Sequence, residues 1–122
     1  MITVSLRRRM SLALFAVLLL VAIGAGAGIN HMRSLSARAH QMVSDGAVLL
    51  DVRSPEEYAE GHLPGAINLP VGELRARVSD LGPRSRGVVT YCRSGGRSAR
   101  AATILRELGF SEVLNLGPKA AW

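Results

Sequence analysis

Two short apolar runs, AVLLDV (Ala47–Val52) and GVVTY (Gly87–Tyr91), constrain this 122-residue chain most. Each is too short for a core helix. Each is apolar at successive positions rather than at alternate ones, the pattern of a strand buried on both faces of a parallel sheet. Each also gives way to helix-start chemistry within a few residues. After the first run, Ser54 is a helix cap, Pro55 occupies the first helical position and Glu57 completes a capping box. Gly61 stops that helix early. After the second run, a Gly-Gly turn leads into the most amphipathic segment of the chain. It covers Arg97–Leu108, with Ala101, Ile104, Leu105 and Leu108 along one side, and Gly109 ends it.

The remaining segments fit the same alternation. Leu35–Val43 reads as a short helix before the Asp45-Gly46 turn. Ala66–Leu69 reads as a short strand closed by Pro70, and Glu112–Leu116 as the last strand. Apolar residues at 71, 74, 78 and 81 predict a helix over Val71–Leu81, ending before Gly82-Pro83. Strand–helix alternation over residues 45–122 predicts one small α/β domain, a mainly parallel sheet with helices on both faces. Aromatic residues make up 4% of the chain, so its core must be built from Leu, Val, Ile and Ala. Ligand chemistry in such sheets gathers at the carboxyl ends of strands. Cys92 stands there.

Charge divides the chain. Residues 1–44 carry five of the 15 basic side chains (Arg7, Arg8, Arg9, Arg33 and Arg38) and none of the nine acids. The remainder is almost balanced. The net +6 is therefore an N-terminal feature, not the footprint of a nucleic-acid-binding domain. Arg7–Arg9 precede a charge-free run from Met10 to Ile29, whose Leu12–Ile23 stretch is wholly apolar. As a helix this run reaches about 30 Å, the thickness of a bilayer's hydrocarbon core. The same residues fit a signal peptide, with Ala25-Gly26-Ala27 as a small-residue cleavage pattern. Both readings stand: a single-pass anchor helix, or a leader removed after Ala27. In either case the positive cluster stays on the cytoplasmic side, so the domain is expected on the exported, periplasmic or extracellular face. Residues 1–30 are thus an anchor or signal, 31–44 a juxtamembrane segment with a first short helix, and 45–122 the domain.

A single cysteine excludes an internal disulfide, a four-cysteine zinc site and a CxxC redox pair. Its setting is YCRSGGRS, Tyr91–Ser98. Gly95 and Gly96 open backbone conformations closed to other residues, so successive N–H groups can turn inward as an anion-binding nest. The following helix adds its N-terminal partial charge, and Arg93 and Arg97 flank the glycines. All of these favour a thiolate. A core cysteine would gain nothing from them. A Cys–His pairing with His62 is the weaker reading, because His62 sits in the turn segment EGHLPGA. Four residues separate Cys92 from Arg97. Cysteine phosphatases place five there, so the smaller ring suits attack on a smaller centre, such as the outer sulfur of thiosulfate.

Three segments then carry a resemblance: LLDVRSPEEYAEGHLPGAINLP (Leu49–Pro70), VVTYCRSGGRSARAATILRELGF (Val88–Phe110) and VLNLGPKAAW (Val113–Trp122). Together they resemble the rhodanese (thiosulfate sulfurtransferase) homology domain in its small single-domain form. The resemblance implies that Cys92 is the sulfur-accepting nucleophile. It implies that Arg93, Ser94, Gly95, Gly96 and Arg97 form the loop around a persulfide, closed by Ser98. Asp51 and Arg53 match the family's DVR motif as supporting residues. Asp51 is expected to order the neighbouring backbone or pair with an arginine, and Arg53 and Glu57 to pair across the turn. The family's terminal Gly-Gly-x-x-x-Trp pattern departs here, with Pro118 in the second glycine position. The family's first strand is not evident between Ile29 and Val43.

The expected chemistry is transfer of a sulfane sulfur from thiosulfate or a persulfide donor to an external thiol or cyanide, needing neither metal nor organic cofactor. With no second cysteine, the acceptor must come from outside the chain. The alternative is a membrane-tethered sulfur carrier or protein-interaction module on the same fold, with little turnover.

Overall fold

In the computed structural model, which describes residue 31 and residues 33–122, the domain is built on four parallel strands. They are β1 (Val48–Asp51), β2 (Ile67–Asn68), β3 (Val88–Cys92) and β4 (Val113–Pro118), in the order β2-β1-β3-β4. The register pairs Val48 with Val88 and Asp51 with Tyr91, and on the other side Val88 with Val113. A shift between Thr90 and Tyr91 then brings Cys92 opposite Pro118. The apolar runs became the two central strands, whose residues are buried throughout.

Alternation sorts the side chains. Val48, Leu50, Val88 and Cys92 face one side, where they pack against Ala101, Ile104 and Leu105 of α3 (Gly96–Glu107). Leu49, Val89, Tyr91, Leu114 and Leu116 face the other side. There they meet Ala39 and Met42 of the helical residues 35–44, called α1. Helices thus cover both faces, as a parallel sheet requires. α2 (Pro55–Glu60) carries the complete capping box, with Glu57 N–H donating to Ser54 Oγ and Ser54 N–H to Glu57 Oε1. At the C-terminal end, Trp122 stacks on His40 of α1 with ring centroids 3.8 Å apart.

One predicted element is corrected. Val71–Leu81 is not an α-helix but two 3₁₀ turns, Val71–Glu73 and Val78–Leu81. The apolar positions fall in pairs three apart, 71 with 74 and 78 with 81, and a three-residue turn satisfies that spacing as well as a helix does. Leu74 and Leu81 reach the core in this way. Val71 N–H donates to Val52 O at 3.1 Å, extending the ladder beyond β2.

The expectations for residues 1–30 fall outside the described residues. Among the described residues no helix is long and apolar enough to cross a membrane.

Candidate active site

Cys92 ends β3 and its side chain is fully buried. The chain then turns through Arg93–Gly95 and enters α3. Gly95 has φ +105°, a region L side chains avoid, and this lets the chain reverse so tightly. Its N–H donates to Cys92 Sγ at 3.0 Å, and the Ser98 N–H donates at 3.4 Å. These are among the N–H groups that a helix start leaves without intrahelical partners. Gly95 supplies no capping side chain. The sulfur of Cys92 therefore takes the place of the N-cap acceptor for α3, and the helix dipole points at it.

Ser98 Oγ lies 3.5 Å from Sγ and 3.0 Å from Gly95 O. A hydroxyl rotor suits either protonation state. It accepts from a thiol while donating to Gly95 O, or turns its proton onto a thiolate. Burial pushes the Cys92 thiol up. The Ser98 hydroxyl and the N–H groups of Ser98, Gly95 and Ser94 outweigh burial and bring it below its ordinary value. The site therefore favours the nucleophilic form of sulfur.

The loop charges differ from expectation. Arg97 does not face the sulfur as a free cation. Its two terminal nitrogens bind both oxygens of Glu57, at 2.6 and 3.0 Å. Arg97 thereby holds the Glu57 carboxyl down at about 2. The expected Arg53–Glu57 pair is thus corrected, because Arg53 turns the other way, onto Asp51. Arg93 is exposed and makes no hydrogen bond among the described residues.

Asp51 is fully buried at the end of β1. It accepts from Arg53 N–H at 3.0 Å, Arg53 Nε at 2.9 Å, Arg53 Nη2 at 2.6 Å and Tyr91 O–H at 2.8 Å. Backbone ordering and arginine pairing, the expected roles of Asp51, are both present. Two further residues join this network, and composition gave no signal for either. Tyr91 O–H accepts from Leu63 N–H at 3.1 Å, and burial, with Asp51 adding to it, pushes the phenol up to about 12. Lys119 Nζ and Arg53 Nη2 share Gly61 O, at 3.1 and 2.8 Å. The signal for Tyr91 lay in strand periodicity, which sends it to the face opposite Cys92. His62 Nδ1 meets Tyr58 O, and its ring stacks on Tyr58, a structural placement.

A family profile described as "Rhodanese-like domain" matches residues 35–117. A protein of Allochromatium vinosum named sulfurtransferase is 39% identical over 95 residues, covering 77% of this chain and 88% of its own length. The thiosulfate sulfurtransferase PspE of Escherichia coli is 41% identical over 69 residues, covering 56% of this chain and 66% of that protein. Among solved structures, a rhodanese with anions from E. coli superposes with TM-score 0.60 at 35% identity. That match covers 63% of this chain and 92% of the other.

Proposed function

The chain belongs to the rhodanese-like domain family, and from that premise we propose that it is a sulfurtransferase working through a Cys92 persulfide. The observation that carries this reading is the buried Sγ receiving the Gly95 and Ser98 N–H groups.

In the first half-reaction the Cys92 thiolate attacks the outer sulfur of thiosulfate. The new Sγ–S bond forms as the old S–S bond breaks, and sulfite leaves with the electron pair. A persulfide donor reacts in the same sense, with a thiolate leaving. The terminal persulfide sulfur carries the negative charge, and preoriented N–H groups are suited to hold it. In the second half-reaction a thiolate or cyanide attacks that outer sulfur and the Cys92 thiolate departs. Electrons balance without an oxidant or a metal. Arg93, Ser94 and Gly96 supply the exposed mouth of the loop.

Intact-mass spectrometry before and after thiosulfate tests the proposal. The expected result is a gain of about one sulfur atom, removed by cyanide and absent in Cys92→Ser. No adduct on reduced Cys92 overturns it. Slow discharge to every thiol tested, after full loading, selects a sulfur carrier instead. We also propose that the domain acts on the exported side of a membrane, since Arg7–Arg9 ahead of the Met10–Ile29 run support that orientation. The mass of protein recovered from that compartment reads whether residues 1–27 are removed.

A further inference from the structure

Arg97 directly precedes Ser98, whose N–H touches Sγ, and its charge and that of the Cys92 thiolate act on one another. Left free, it would offer an anionic substrate a second cation in the loop beside Arg93. It is not left free. Both terminal guanidinium nitrogens are closed onto Glu57. Glu57 is itself fixed, its Oε1 accepting from Ser54 N–H at 3.3 Å and Ser54 Oγ at 3.2 Å. The start of α2 therefore clamps the start of α3. Lys119 is spent on Gly61 O.

We propose that Glu57 is a specificity-determining positioning residue: by closing Arg97 into an ion pair it withdraws that charge from the sulfur and leaves Arg93 as the loop cation that meets an incoming donor. Among the described residues the loop then presents one cation without a carboxylate partner where its sequence carries two. A dianionic donor such as thiosulfate loses more from this than a singly charged or neutral one. The site is accordingly biased toward persulfides of small thiols. The statement about donors rests on the sulfur-transfer reading; the statement about charge does not.

The test uses the folded full chain and four forms: wild type, Glu57→Gln, Glu57→Gln with Arg97→Gln, and Arg93→Gln. Glutamine at position 57 keeps the capping-box hydrogen bonds. Cys92 is alkylated with iodoacetate, an anion, and with iodoacetamide, a neutral reagent of similar size. The ratio of the two rates reads the field at the sulfur and cancels any general change in access. Glu57→Gln is expected to raise the ratio about threefold or more, and Arg93→Gln to lower it by a similar factor. The double variant removes a neutral pair and is expected to stay within about twofold of wild type. An unchanged ratio in Glu57→Gln overturns the proposal. So does a fall in the double variant as large as that in Arg93→Gln, because Arg97 would then be acting as a free cation.

A second arm compares sulfur loading from thiosulfate and from cysteamine persulfide, whose ammonium and persulfide charges cancel, with Glu57→Gln expected to shift the preference toward thiosulfate. If wild type prefers thiosulfate by the same factor as Glu57→Gln, the donor bias is wrong. If wild type loads from neither donor, sulfur transfer fails as the function, and the alkylation ratio still decides the role of Glu57.

Discussion

Replacing Asp51 by asparagine removes one charge from the best-connected buried group of the domain. The carboxylate is fully buried, and Arg53 is only 7% exposed. The guanidinium would then remain inside without its counter-charge, and Tyr91 would face an amide in place of a carboxylate oxygen. Breaking a buried pair by removing one partner costs about 3–5 kcal/mol. A domain of this size holds roughly 4–13 kcal/mol in total, at about 0.05–0.15 kcal/mol per residue. Urea unfolding followed by Trp122 fluorescence and by circular dichroism reads the loss. With a slope of about 1 kcal/mol/M, the midpoint should fall by about 3–5 M at unchanged slope. Replacing both partners with apolar residues, Asp51→Leu with Arg53→Met, should recover much of the loss, since no charge is then stranded. A midpoint shift below about 1 M in Asp51→Asn, with the slope unchanged, would refute the reasoning: the ion pair would then be a bystander to folding.

Other consequences follow from the same contacts. Tyr91 is held protonated, so its contribution is complete below pH 10 and is lost as pH rises from about 10 towards about 12. Tyr91→Phe should abolish that alkaline loss in a pH series of urea midpoints, while costing about 1–2 kcal/mol at neutral pH for the stranded Leu63 N–H. Glu57 behaves oppositely. Its contribution is complete above pH 4.5 and fades as pH falls to about 2. With Arg97 two-fifths exposed, that is about 1 kcal/mol at most, and Glu57→Gln should flatten stability across this window. Ser98→Ala removes the hydroxyl that favours the thiolate, so the pH midpoint of Cys92 alkylation by iodoacetamide should move upward. An unmoved midpoint would assign the effect to the N–H groups alone.

Local chemistry was legible in the sequence where it was self-contained. The Ser54–Glu57 capping box, the stops at Gly61 and Gly109, the two central strands and the Cys92 loop each depend on residues within a few positions of one another. Val71–Leu81 misled because spacings of three and four occur together there, and the apolar pattern alone does not separate two 3₁₀ turns from one α-helix. Charge pairing was the other blind spot. Glu57 and Arg97 lie 40 residues apart, and nothing local reveals that the helix cap of one element is the counter-ion of another. Tyr91 was hidden differently. Its ring is an ordinary core side chain on the face opposite the cysteine, and only its hydroxyl reaches under the neighbouring loop.

The parallel order β2-β1-β3-β4 also bears on how the domain comes into being. Among the described residues no hairpin joins two strands, and the central pairing brings together residues 40 apart, such as Asp51 and Tyr91. Loop closure must therefore be met before any strand contact rewards it, which places such a chain among the slower folders of its size. α2 carries its own start signal, whereas α3 lacks a side-chain cap and takes the sulfur of Cys92 instead. That sulfur is in position only once β3 is seated in the sheet. Helix start and reactive thiol thus mature together, and the reactivity of Cys92 during refolding reads the seating of β3 and the start of α3 as one event.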